Sequence, residues 1–287
     1  KMDGGIILSE DAKRILSANT QLFPPASISA SETGTRHRTA QRTAIHTNHL
    51  VIAISQRRNV ITLYKGNFRY VLNEIGVILT KANQALSTLE KYKSVLDQAL
   101  TNLGAMEFEE LVTLHEVTTV LQRIEMVLRI KEEISRFICE LGIEGRLVSM
   151  QLAELVTNIE EEAHMLIRDY SRSPGVSPEQ VLREMKKISS DEMMEISSFL
   201  RVLGYTVNVS SLEEPVSPRG FRILSKIPRL PVPIISNLVQ HFHNLPRIMM
   251  ATIEELDEVD GIGEVRARAI KEGMKRIQEQ VFIDRHI

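Results

Sequence analysis

Ser31-Glu32-Thr33-Gly34-Thr35-Arg36-His37-Arg38-Thr39-Ala40 crowds hydroxyl groups, a glycine, two arginines and a histidine into ten residues. It opens a basic region: from Thr33 to Leu72 the chain has seven Lys or Arg and no Asp or Glu. Gly34-Thr35 ahead of a helix offers backbone N–H donors and a hydroxyl, and the helix dipole favours negative charge there. Arg36 and Arg38 carry planar forks that match phosphate oxygens, and His37 adds a donor between them. Arg-x-Arg pairs also occur on ordinary solvated helix faces. What favours an anion here is the lack of nearby acids and a second basic group, Ser55-Gln56-Arg57-Arg58. The spacing points to a polyphosphate. The same stretch starts the one helix in a run of strands, and so decides the fold of the first part of the chain.

Around that helix the pattern is β-rich. Ile6-Ile7-Leu8 reads as a short buried strand and Arg14–Leu22 as a second, broken by Phe23-Pro24-Pro25. Thr33 or Thr35 is expected to cap a helix running to about His46, with Ala40, Ala44 and Ile45 inward. Leu50–Ser55, Asn59–Tyr64 and Phe68–Leu72 read as three more strands, the last two joined by a turn at Lys65-Gly66-Asn67. One helix and about five strands make a thin core. Residue 1 is Lys with Met2 behind it, so the domain is expected to begin upstream of this sequence.

From Ile75 the texture becomes helical. Ile75–Leu103 is expected to form a helix ending at Gly104. Phe108, Leu111, Val112, Val117, Val120, Leu121, Ile124, Val127, Leu128, Ile134, Phe137 and Ile138 then follow at spacings of three and four, one face of a long helix. Gly142 and Gly145 punctuate it, and Leu147–Tyr170 reads as a third helix. Ser177-Pro178-Glu179 starts another, with proline in the first turn, and short helices run to Leu203-Gly204. Asn73–Thr206 carries 14 basic and 22 acidic residues, so this spine does not share the basic character of the first region. The anion site is local, although the formal net charge of the chain is only −2.

Beyond a boundary at Glu213–Pro218 lies an internal repeat. Leu224, Ile227, Leu230, Ile235 and Leu238 recur 32 residues later as Leu256, Val259, Ile262, Ala267 and Ile270. In the second copy Val259-Asp260-Gly261-Ile262-Gly263, then Ala267 and Ile270, is the pattern of a helix-hairpin-helix. Its glycines allow a tight turn and bring N–H groups to a helix N-terminus, where they can hold a DNA phosphate without reading sequence. The candidate DNA-binding residues are Gly261, Ile262, Gly263, Arg266, Arg268 and Lys271, with Glu258, Asp260 and Glu264 opposing them. The first copy has Arg229 and Pro231 in place of the two glycines, and is expected mainly to pack against the second.

The expected fold class is therefore multi-domain α+β: a partial α/β domain over residues 1–72, an all-helical linker over 73–206 and a helix-hairpin-helix domain over 207–287. The apolar fraction of 43% supports a real core. The single cysteine, Cys139, can build neither a disulfide framework nor a zinc site, which fits a reducing cytosol. No apolar run approaches a membrane span, so no membrane partner is expected. Asp3, beside Gly4-Gly5 at a strand start, is the one acid placed to hold a divalent metal near a sugar hydroxyl; spacing alone favours an ordinary turn Asp.

Taken together and in order, these elements resemble a known family. Asp3-Gly4-Gly5, Thr35-Arg36-His37-Arg38-Thr39, Ser55-Gln56-Arg57-Arg58-Asn59-Val60, the helical middle and Glu258–Ala267 are similar to the DNA integrity scanning proteins, which are bacterial diadenylate cyclases. The resemblance implies a cyclase domain with a mixed central sheet. It implies condensation of two ATP into cyclic di-AMP with release of two pyrophosphates, across apposed domains of an octamer, and suppression by branched DNA such as Holliday junctions. It implies a cytoplasmic, nucleoid-associated protein. Carried over residue by residue, Asp3 binds Mg2+ or Mn2+ and helps activate the ribose 3′-hydroxyl. Gly4 lets the nucleotide approach, and Leu22 meets the adenine. Thr35, Arg36, His37, Arg38 and Thr39 hold the triphosphate, with Ser55 reaching it too. The family's Asp-Gly-Ala is here Asp3-Gly4-Gly5, and activity is expected of a longer protein that completes the domain. The competing reading is a DNA-binding scaffold that senses ATP without turnover; a purely structural oligomer explains the helical middle but not the ends.

Overall fold

The computed structural model describes residues 4–56, 60–207 and 212–285. The chain divides into two compact units, residues 1–81 with 140–142 and residues 82–139 with 143–287. The class is the expected multi-domain α+β.

In the first unit β1 (Gly5–Leu8) pairs antiparallel with β2 (Ile15–Thr20), with Gly5 opposite Thr20 and Leu8 opposite Ile15. Helix α1 (Thr35–Thr47) leads into an antiparallel meander of β3 (Leu50–Ser55), β4 (Val60–Lys65) and β5 (Phe68–Val71). The pairings among the described residues are all antiparallel, so any parallel part of the expected mixed sheet is not among them. Ala40 and Ala44, one turn apart, give α1 a face small enough to lie close on the meander, and they form a core with Tyr64, Val51 and Ala53. The period-two alternation of β3 turns Val51 and Ala53 inward and leaves Leu50, Ile52 and Ile54 exposed. Asn48, in the left-handed conformation, ends α1 by donating its N–H to Ala44 O at 2.8 Å. Ile45 is only half-buried.

Neither Thr33 nor Thr35 caps α1. The N-cap position is Gly34, which has no side chain to accept from the first turn. The first N–H groups of a helix have no intrahelical partner, and here no N-cap side chain accepts from them.

The spine corrects three sequence expectations. Helix α2 (Ile75–Glu109) does not stop at Gly104. A Cβ there would lie 3.4 Å from Val281 and 3.5 Å from Arg222, so this glycine marks a close packing contact inside a helix. Helix α3 (Leu114–Leu141) is shorter than its apolar stripe, because Phe108 closes α2 and Leu111-Val112 form the connection. The single helix expected over Leu147–Tyr170 is two, α4 (Arg146–Leu155) and α5 (Ile159–Tyr170), separated where Asn158 turns to φ 63°. Helix α6 (Pro178–Lys187) starts as expected, with Ser177 Oγ accepting from the Gln180 N–H, and α7 (Ile196–Val202) follows. The boundary segment is stitched to the α2–α3 connection: Leu114 N–H donates to Glu214 O at 3.2 Å and Val216 N–H to Val112 O at 2.9 Å.

The repeat is real in three dimensions. Its first copy is α8 (Phe221–Ser225) and α9 (Val232–Phe242). After α10 (Leu245–Met250), the second copy is α11 (Ile253–Asp257) and α12 (Glu264–Arg285). Helix α11 opens on a reciprocal capping box between Thr252 and Glu255. The matched residues of both copies share one core: Leu224, Ile227, Ile235 and Leu238 with Leu256, Val259, Ile262, Ala267 and Ile270.

Candidate nucleotide and nucleic-acid sites

Thr35, Arg36, His37, Arg38 and Thr39 occupy the first turn and a half of α1, with Thr35 and Arg38 exposed and His37 and Thr39 half-buried. Helix and strand here have matched lengths, each about 20 Å at ordinary rises per residue. Strand β3 packs on α1 through Val51 and Ala53, and Thr35–Thr39 lie at the N-terminal end of that helix. That end is where N–H donors and dipole favour an anion.

The loop before the helix is fixed from both sides. Gln41 Oε1 accepts from Ser31 N–H at 3.0 Å and Glu32 N–H at 3.3 Å. Arg42 Nε donates to Ile28 O at 2.8 Å. Arg38 folds back on the same loop, Nε to Glu32 O at 3.1 Å and Nη2 to Thr33 O at 2.9 Å. From the sheet, Tyr64 Oη and Arg69 Nε both donate to Glu32 Oε1 at 2.7 Å. The Arg69 and Tyr64 hydrogen bonds hold the Glu32 carboxyl below the usual carboxylate range. Tyr64 is pushed up to about 12, by burial first and by Glu32 second. Sequence reading passed over Glu32, Gln41, Tyr64 and Arg69. One signal was present: Glu32 is the only acid between Asp11 and Glu74.

Gly4 and Leu22 lie with the β1–β2 hairpin, and in the described residues β1 pairs with β2 alone. A Cβ on Gly4 would sit 2.4 Å from the backbone of Asn19, so this glycine is required by the partner strand itself. Leu22 Cδ1 lies 3.6 Å from where a Cβ of Gly5 would be. Asp3, Arg57, Arg58 and Asn59 lie outside the described residues. Among the described residues no cluster of His, Cys, Asp and Glu is placed to hold a metal ion.

At the other end of the chain Gly261 takes φ 80°, and a Cβ on it would approach Ile234 Cδ1 to 2.6 Å. Asn237 Nδ2 of the first copy donates to Asp260 O at 2.9 Å, so the first copy supports the second hairpin directly. Gly263 is exposed just before α12, and Ile262 is buried beneath it. Arg266 and Arg268 are exposed; Arg266 donates to Gly261 O, and Arg268 pairs with Glu264 at 2.6 Å. Lys271 is half-buried and donates to Met249 O at 2.6 Å, near the C-terminal end of α10. In the first copy Arg229 adopts φ 62°, the conformation Gly261 has in the second. The hairpin turn is kept there, but Pro231 and Pro233 remove two N–H groups from the start of α9.

Comparison with known proteins agrees with this layout. Residues 1–68 match the family model described as DisA bacterial checkpoint controller nucleotide-binding, and residues 72–212 match the DisA bacterial checkpoint controller linker region. Residues 234–281 match the helix-hairpin-helix motif. The DNA integrity scanning protein DisA of Carboxydothermus hydrogenoformans is 60% identical over 281 residues, 98% of this chain and 80% of that protein. The chain belongs to the DisA family. The DisA of Bacillus subtilis strain 168 is 55% identical over 287 residues, all of this chain and 79% of the relative. The DisA of Bacillus cereus strain G9842 is 56% identical over 286 residues. The α1 turn thus falls in the DisA nucleotide-binding region, and the Gly261–Gly263 hairpin in its helix-hairpin-helix motif. No helix among the described residues is long and apolar enough to cross a membrane.

Proposed function

We propose that the protein is a diadenylate cyclase that condenses two ATP into cyclic di-AMP and is held in check by branched DNA. The observation that supports this reading is the N-terminus of α1, which has no side-chain cap and whose preceding loop is clamped by Gln41, Arg38 and Arg42. The site offers N–H donors, hydroxyls and positive charge. Phosphoryl transfer needs little else, because in-line positioning and charge neutralisation supply most of the rate.

In this reading each protomer holds one ATP, with Leu22 and Gly4 toward the nucleoside and Thr35–Thr39 and Ser55 toward the triphosphate. The 3′-hydroxyl oxygen of one ATP attacks the α-phosphorus of the other. The bond to pyrophosphate breaks, the hydroxyl proton leaves, and the same step in the opposite direction closes the ring. Asp3 assists the departure of that proton. A divalent cation, Mg2+ or Mn2+, with Asp3 as its protein ligand belongs to the proposal and would supply charge neutralisation at the phosphates. Apposed sites require more than one chain, in keeping with an octamer. In the proposal the second hairpin, through its Gly261–Gly263 backbone and Arg266 and Arg268, holds phosphates of junctions such as Holliday structures, and the protein is cytoplasmic and nucleoid-associated.

The test is incubation of the full-length protein with ATP and Mg2+ or Mn2+, with and without a four-way junction, and detection of cyclic di-AMP by mass spectrometry. Product that falls on adding the junction supports the reading. ATP binding with no product at any protein concentration leaves the scaffold that senses ATP without turnover. Asp3→Asn should abolish turnover and keep ATP binding; an equally active variant removes Asp3 from the chemistry.

A further inference from the structure

A carboxylate beside a triphosphate site needs a reason to be there, because its charge repels the ligand. Glu32 lies two residues before Gly34 and close enough to His37 for the two to interact electrostatically. Its side chain is 14% exposed and receives two hydrogen bonds at 2.7 Å, from Tyr64 and Arg69. Tyr64 is itself anchored in the core with Ala40 and Ala44. The carboxylate therefore joins the loop to the rigid meander, while its main chain is joined to α1 through Gln41 and Arg38.

Arg38 has five N–H donors. Two of them are committed to the carbonyls of Glu32 and Thr33, so its guanidinium is oriented by the loop before any phosphate arrives. Lysine at this position could not serve both carbonyls in a planar fork.

The geometry points to Glu32 as the positioning residue of the triphosphate turn, with Arg38 as its relay and Arg69 as the counter-charge that makes a carboxylate tolerable there. This rests on the reading of Thr35–Thr39 as the triphosphate site. It separates two quantities. Affinity for ATP follows the charge balance of Glu32 and Arg69, and turnover follows the integrity of the clamp.

The experiment uses full-length protein, with ATP affinity measured by equilibrium titration of a non-reacting ATP analogue and turnover as cyclic di-AMP formed. Arg69→Met leaves Glu32 uncompensated and should weaken the analogue about tenfold, as one unpaired charge near the phosphates implies. Glu32→Gln/Arg69→Met removes that charge while the amide oxygen still accepts from Tyr64, and should bring affinity back to within about threefold of the parent. Turnover in the double variant should stay about tenfold down, because the loop is still loosened. Glu32→Gln alone leaves the Arg69 charge uncompensated, so it should tighten the analogue severalfold while turnover falls, and it serves if Arg69→Met does not fold. Affinity that is no better in the double variant than in Arg69→Met overturns the proposal. So does a loss of affinity and turnover in parallel with melting temperature in every variant, which is what a merely structural role would give. His37→Ala is the control for the underlying site: if it binds the analogue as the parent does, the triphosphate reading itself fails.

Discussion

Replacing Arg222 by methionine removes the charged end of a fully buried pair and keeps much of the side chain's volume. Arg222 on α8 is 0% exposed and Glu107 on α2 is 1% exposed. The guanidinium donates from Nε to Glu107 Oε1 at 3.2 Å and from Nη2 to Oε2, and it stands 3.8 Å from Glu162 Oε2. In Arg222→Met the Glu107 carboxylate keeps only the hydrogen bond from Tyr170 Oη, at 2.8 Å. An uncompensated carboxylate in such a place costs about 3–5 kcal/mol. Most of that is the stranded charge rather than the lost contact. Glu107→Gln/Arg222→Met should therefore recover about 2 kcal/mol, since a neutral amide still accepts from Tyr170. The measurement is hydrogen exchange of the amides in α8 and α9, read as opening free energies. A loss below about 1 kcal/mol in Arg222→Met, or a double variant less stable than the single, would refute stranded charge as the cause.

Other perturbations have equally definite outcomes. Asp169 on α5 accepts from the N–H groups of Gly220 and Phe221 at 2.7 Å and of Arg222 at 2.9 Å. Burial, and then the charge of Glu107, push its carboxyl up to about 7. A raised folded-state value means that its contribution is full below about pH 4 and is lost as pH rises through about 7, so unfolding free energy measured from pH 4.5 to 8 should fall more steeply in the parent than in Asp169→Asn. Gly261→Ala should cost about 2–3 kcal/mol in denaturant titration, from left-handed strain and collision with Ile234; a shift under about 0.5 kcal/mol would show that the hairpin can move. Gly263→Glu puts a carboxylate at the exposed start of α12 and should weaken junction binding in gel shift by about tenfold, and unchanged affinity would take the hairpin off the contact surface.

Much of this was legible before any coordinates. The strands β3 to β5 announce themselves by alternating β-prone runs and a glycine turn, and α1 by its break from them. The 32-residue repeat is visible as apolar spacing and proves to be one shared core. What failed to show was whatever tertiary contact decides. Gly104 looks like a helix stop but lies inside α2, because Val281 and Arg222 pack against it there. The Asn158 break has no proline or glycine to mark it. Arg229 takes a glycine-like φ in the first hairpin, which local preference would not favour. At the nucleotide site the ligand candidates were readable as a motif. Their supports were not, since Glu32, Tyr64 and Arg69 meet across more than thirty residues of chain.

The two prolines at the start of α9 bear on how strongly the protein grips DNA. With Pro231 and Pro233 in the first hairpin, the second is the better endowed of the pair in backbone donors. On the proposed reading a single chain then has one good handhold for about one or two phosphates, and each phosphate neutralised contributes a salt slope of only about −0.9. Such a grip is weak alone. Strength has to come from valency: once one chain of an assembly is attached, the next attaches at an effective concentration on the order of millimolar. A DNA with several arms converging on one point can engage several chains at once, where a lone duplex end engages one. Preference for shape over sequence would then be a counting effect, set by how many handholds a DNA can reach.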